Sequence, residues 1–133
     1  MNLEKVFLGV MIISVVGIIF LFSIISAKTT NLNFDDEIME DLNNKFKETS
    51  KDSEFFGYLE VEDNNVLNFN FVGYKNLIDG SVDLENKNVE VTNYSIHNHP
   101  NGWCYPSPQD MLSQEKVICI MCDLNKVRCF ENE

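Results

Sequence analysis

An α+β domain with a mostly antiparallel sheet is the fold class the sequence predicts, on three observations. One amphipathic stretch with helical spacing stands at residues 34–47. From Glu54 the apolar period falls to two, as in strands with one buried face. Turn residues then punctuate the chain so that its elements run helix, strand, strand, strand, helix, strand, strand.

An uncharged run precedes that domain. Residues 6–26 read VFLGVMIISVVGIIFLFSIIS, 21 residues without a charge. A helix of that length spans roughly 31 Å, close to the hydrocarbon thickness of a bilayer. The run exceeds the usual apolar core of a signal peptide, and no small-x-small pair precedes a cut at Ser26 or Ala27. It reads as an uncleaved single-pass transmembrane helix, with residues 1–5 as an N-terminal tail and 27–34 as a polar tether. Lys5 and Lys28 flank opposite ends, so the positive-inside rule does not decide the orientation.

In the first helix Ile38, Leu42 and Phe46 recur at i, i+4 and i+8, with Met39 beside them. Asp35, Asp36 and Glu37 stand at its start and Lys45 and Lys47 at its end, which complements the helix dipole. Phe55, Gly57, Leu59 and Val61 share one face of the first strand, and Asp63-Asn64-Asn65 is a turn. Strict alternation puts Val66, Asn68, Asn70 and Val72 on one face of the next strand and Leu67, Phe69 and Phe71 on the other. Residues 74–87 read as irregular, with a turn at Asp79-Gly80, and 89–99 as a third strand. Ser107 and Pro108 open a helix that runs to about Lys116. Residues 117–123 and 127–130 form a hairpin turning at Asn125-Lys126.

Composition narrows the function. The 133 residues carry 10 Lys and Arg against 21 Asp and Glu, a net charge of -11. Such a surface repels phosphate backbones and excludes a general nucleic-acid binder. A hydrophobic fraction of 44% excludes a disordered acidic chain.

The chemistry gathers at the only two histidines, His97 and His99. On a strand, residues i and i+2 face one side, so both imidazoles aim at one spot, as two ligands of one metal ion must. Asp110 follows in the first turn of the next helix, where a loop can return it over the strand end. Two His nitrogens and one carboxylate oxygen leave a fourth position on zinc for water. The letters His-Asn-His also name a nuclease motif, but those residues are dispersed along a ββα unit and here they are contiguous.

The stretch from His97 through Pro100 to Ser107 and Asp110 matches the pattern H-x-H-x(7)-S-x(2)-D. Upstream, Glu54, Gly57 and Leu59 match E-x-x-G-x-L just after a helix. In these positions the chain, from about residue 35 to 133, resembles the JAMM (MPN+, JAB1/MPN/Mov34) zinc metalloproteases. The resemblance implies a JAMM/MPN-like, cytidine-deaminase-like sheet flanked by helices. It also implies one zinc ion held by His97, His99 and Asp110. Glu54 would be the general base on the zinc-bound water, and Ser107 would stabilise the oxyanion. The implied activity is hydrolysis of peptide or isopeptide bonds at the C-terminal tail of a ubiquitin-like or sulfur-carrier protein. The alternative is a catalytically silent MPN-type binding or scaffold module. The chain is short, with no obvious room for the insertions that deubiquitinases use to grip the modifier.

Cys119 and Cys122 have CxxC spacing, but on a strand they face opposite sides. Buried or paired strand cysteines, a disulfide between Cys122 and Cys129, and a second metal site remain open readings. Cys104 sits near Trp103 and Tyr105 and reads as loop packing. Four cysteines and the family's cytosolic substrates favour the cytoplasmic side of the membrane for the domain.

Overall fold

Asp35 starts the helix: its carboxylate accepts the Ile38 amide at 2.8 Å. The helix, α1, covers Asp36–Glu48 and buries Ile38 and Leu42, with Phe46 packed beside them. Thr49 ends it, donating both its amide and its hydroxyl to the Phe46 carbonyl. The structure, a computed structural model, describes residues 11, 13–19 and 27–132.

Seven strands follow the order β1-β7-β6-β5-β2-β3-β4 in one sheet. They are β1 (Thr29–Thr30), β2 (Ser53–Glu62), β3 (Asn65–Asn76), β4 (Val82–Leu84), β5 (Tyr94–Asn98), β6 (Val117–Asp123) and β7 (Lys126–Glu131). Only β5 and β6 pair in parallel; the other pairs are antiparallel. The expected class is therefore observed, with α1 packed against the sheet.

Helix α1 covers one face of the sheet. Phe55, Leu59, Ile96, Cys119 and Met121 are fully buried on that side. Ile118, Ile120 and Phe130 form a second, smaller cluster, with Tyr105 packed on it. Because Ser95 pairs with Ile118 and His97 with Ile120, those two β5 side chains share the face opposite α1.

The structure departs from strict alternation at three bulges. In β3, Val66 pairs with Val61 and Asn68 with Glu60, so Leu67 is an extra residue, 58% exposed. Val72 is the second extra residue, between Phe71 opposite Gly57 and Gly73 opposite Phe56. Each bulge flips the downstream pattern, so Val66, Phe69, Phe71 and Tyr74 all pack toward the core. Gly57 permits this: a Cβ there would lie 2.5 Å from the Asn70 carbonyl oxygen and 2.7 Å from the Phe69 ring. The third bulge, at Cys122, falls between the pairs Met121–Val127 and Asp123–Lys126. The hairpin turns at Leu124-Asn125, one residue earlier than expected, with Asn125 at φ 57°.

That bulge decides the cysteine pairing. Cys119 stands opposite Cys129 and is bonded to it; Cys122 is turned out of the ladder and bonded to Cys104. Of the open readings, a disulfide between Cys122 and Cys129 and a second metal site on these sulfurs are thereby corrected.

Four further expectations change. Residues 27–34, expected as a tether, contribute β1, which pairs Thr29 with Phe130 and Thr30 with Cys129. The irregular stretch after Tyr74 contains the end of β3 and all of β4. The third strand is shorter than 89–99, because Thr92 leaves the ladder to donate to the Leu59 carbonyl. The helix expected to reach Lys116 is a single 3-10 turn, Asp110–Leu112. Ser113 is extended, and the Lys116 and Val117 amides bind the Asn93 carbonyl, which draws the chain into β6.

The single-pass membrane localisation is also corrected. Among the described residues no helix is long and apolar enough to cross a membrane. Within the stretch 6–26, residues 13–19 are helical and exposed. The expected transmembrane helix otherwise falls on 6–10, 12 and 20–26, outside the described residues. The reasoning for a cytoplasmic side lapses too, since all four cysteines are paired and reducing compartments keep thiols free.

Candidate metal centre

Strand β5 aims His97 at the face opposite α1, and His99 follows at the strand end, its amide on the Met121 carbonyl at 3.2 Å. Between them Asn98 faces the other way and is fully buried. Its Oδ1 accepts the Phe55 amide at 2.7 Å and its Nδ2 donates to the Thr49 hydroxyl at 3.2 Å. Asn98 thus ties β5 to β2 and to the end of α1. Sequence reasoning gave it no role, although a polar residue between two same-face ligands must point into the core.

The loop after His99 doubles back through Gly102, at φ 76°. The Gly102 amide binds the His99 carbonyl at 3.1 Å, and the Trp103 carbonyl lies 2.9 Å from His99 Nδ1. A carbonyl only accepts, so Nδ1 carries the proton and the neutral ring presents its Nε2 lone pair to the site. The Cys104–Cys122 disulfide pins this loop beside the Met121 carbonyl that holds His99. Tyr105 stacks toward Phe130, with the Arg128 guanidinium 4.9 Å from its ring.

Ser107 and Asp110 form a reciprocal cap. The Ser107 amide donates to Asp110 Oδ2 at 2.6 Å, and the Asp110 amide donates to Ser107 Oγ at 3.1 Å. This cap turns the Asp110 carboxylate back over the strand.

Three ligand atoms meet there. His97 Nε2 and His99 Nε2 are 3.1 Å apart, and Asp110 Oδ2 lies 3.2 Å from the first and 3.4 Å from the second. Zinc bonds of about 2.0–2.1 Å in a tetrahedron require ligand atoms about 3.3–3.4 Å apart. The triangle fits that ion. The donor set fits as well, since a lone pair on His99 and a carboxylate oxygen face each other without a shared cation. His97, His99 and Asp110 form a group of the size and composition that holds a metal.

The electrostatics agree. Burial pushes the Asp110 carboxyl up, but the neighbouring His97 and His99 imidazoles and the Ser107 amide outweigh it and hold the group well below the usual carboxylate range. For His99, burial works against the charge, yet the Asp110 carboxylate and the Trp103 carbonyl raise its pKa overall. Burial raises the Glu54 carboxyl, against the pull of His97, Lys75 and His99.

Glu54 shares the face of His97. Phe56 pairs with His97, so Glu54 is two positions along the same side of β2. Its side chain lines two adjoining cavities. One, of about 280 Å³, also contains His97 and Asp110; the other, of about 340 Å³, contains His99, Trp103 and Ser107. The five residues singled out in the sequence are thus brought to one place. Tyr58 and Glu115, which line the first cavity, were not singled out.

No protein-family profile matches this chain, and neither does any curated protein. Two solved structures resemble it. One is JAMM, a metalloprotease-like zinc site in the proteasome and signalosome: 19% identity, 77% of this chain and 89% of that chain covered, TM-score 0.50. The other is a JAB1/MPN domain protein from Archaeoglobus fulgidus: 17% identity, 76% and 90% covered, TM-score 0.50. The likeness shows a fold of the JAB1/MPN type.

Proposed function

We propose that this JAB1/MPN-type domain is a zinc metalloprotease that hydrolyses peptide or isopeptide bonds. The observation that carries the reading is the 3.1–3.4 Å triangle of His97, His99 and Asp110, with Glu54 on the same sheet face. Support also comes from the metalloprotease-like zinc site of one structural neighbour.

The three ligands would hold one zinc ion. When bound, it supplies Lewis-acid polarisation of a carbonyl and an acidified water. Glu54 takes the proton from the attacking water and delivers it to the leaving amine. Its half-buried position favours this, because burial raises its pKa and makes the carboxylate a better proton acceptor. Ser107 Oγ accepts the Asp110 amide, which leaves its hydroxyl hydrogen to donate to the carbonyl oxygen as charge develops. The substrate by analogy is the flexible C-terminal tail of a ubiquitin-like or sulfur-carrier protein, laid as an extended strand along the sheet.

The full chain, reconstituted with zinc, is expected to bind about one ion per chain and to cut a carrier-tail fusion. Glu54→Gln is expected to keep the ion and lose about 10²–10⁴-fold in rate, the range for removal of a general base. Metal content and product formation check both. Firm zinc binding with no cleavage across a broad panel would favour the silent scaffold instead.

A further inference from the structure

We infer that the cavity beside the metal centre is a specificity subsite for a basic side chain, Lys or Arg, with Glu115 as counter-charge and the Tyr58 ring as wall. The inference deepens the proteolytic reading and rests on it. The cavity of about 280 Å³ runs from Glu54, His97 and Asp110 at one end to Tyr58, Ser95 and Glu115 at the other. It is continuous with the reacting centre, so whatever fills it is part of the substrate near the scissile bond.

Among the described residues, Glu115 Oε2 is the buried side-chain oxygen that has no hydrogen-bond partner. A carboxylate oxygen out of water without a donor is unfavourable, and a cation from a ligand relieves it. Lys75 lines the same cavity, but its charge acts on Glu54. Glu115 and Tyr58 line the same cavity, and the Glu115 charge, after burial, raises the pKa of that phenol. An aromatic face beside a carboxylate binds ammonium and guanidinium groups, and the apolar stem of Lys or Arg can lie along Phe56 and Val82.

Spacing fixes the position. Ser95 pairs with Tyr58 and stands two residues before His97, so the subsite lies about 7 Å along the strand from the metal ligands. That is roughly the reach of one extended Lys side chain, or two residues of extended backbone. The basic residue therefore belongs within two positions of the bond that is cut.

The test uses the zinc-loaded full chain and a series of tail substrates alike except for one residue near the cleavage point, Lys, Arg, Leu, Gln or Glu. Lys and Arg substrates are expected to exceed the Gln substrate in kcat/KM by at least about tenfold. Glu115→Gln should erase that advantage, and Glu115→Lys should turn the preference toward Glu. Equal rates across the series, or a preference that Glu115→Gln leaves intact, overturns the subsite and leaves hydrolysis standing. If nothing is cut, the hydrolytic reading fails, and fluorescence anisotropy of the same peptides on zinc-loaded Glu54→Gln reads the subsite alone. There too, tighter binding of Lys than Gln supports it, and equal binding overturns it.

Discussion

The two faces of the central strands do opposite work on one backbone. On β2, Phe55 and Leu59 point toward α1 and are fully buried, while Glu54, Phe56 and Tyr58 line a cavity. On β5, Ile96 and Asn98 point inward and Ser95 and His97 outward. The helix-covered face supplies apolar burial, and the other face gathers the polar groups of the candidate metal centre. Alternation at a period of two therefore gives neighbours in sequence different surroundings: one packs into the core, the next faces the candidate site.

Ile96 and His97 give the sharpest contrast, with the largest expected effects. Ile96→Ala opens a cavity in the core and should cost about 2–5 kcal/mol by chemical denaturation. Its folded fraction should still bind one zinc. His97→Ala should abolish zinc binding and activity, while the metal-free unfolding free energy changes by less than about 1 kcal/mol. If His97→Ala destabilised the metal-free chain as much as Ile96→Ala, the division between the faces would fail.

Asn98 is the place where the division is joined. It sits between the two imidazoles but serves the core, holding the Phe55 amide and the Thr49 hydroxyl. Asn98→Ala leaves a buried amide without an acceptor, for a loss of about 1–3 kcal/mol. Zinc affinity should fall as well, since the strand that carries both ligands loses its tie to β2. Loss of stability with zinc affinity unchanged would show that β5 is held in register by its ladder alone.

The legible parts of this molecule follow from local rules. His97 and His99 share a face because of strand periodicity, and Ser107 and Asp110 meet through a cap spanning three residues. The α1 stripe and its charged ends were readable for the same reason. What escaped was set by distant partners. An extra residue at Leu67, Val72 or Cys122 leaves no mark in composition, because a bulge is defined by what stands opposite. The cysteine partners then followed from the bulge at Cys122, which no spacing pattern reveals. Thr29 and Thr30 became a strand only because β7 offers them an edge. Glu115 acquires its surroundings from the early end of the 3-10 turn, where a longer helix was expected.

Acidity separates the faces by a smaller effect, and its sign differs between the metal-free and zinc-loaded protein. In the metal-free protein His99 has a raised pKa, with burial outweighed chiefly by Asp110. Its stabilisation is full below the unfolded value, about 6.5, and is lost as pH rises through the raised value. Asp110 is depressed, so its share is present above its unfolded value of about 3.9 and lost only at lower pH. The site therefore helps the metal-free fold most between about pH 4 and 6.5, and less toward pH 8. Zinc competes with the proton on His99, so its stabilisation grows over that same rise. From pH 6 to pH 8 the Tm of the metal-free chain should fall by a few degrees while that of the zinc-loaded chain rises. Thermal melts of both forms across this range check it. Ile96→Ala should shift both curves without changing their slopes, because its face carries no titrating group of the site. Parallel curves for the two forms would mean that the imidazoles do not exchange a proton for the metal.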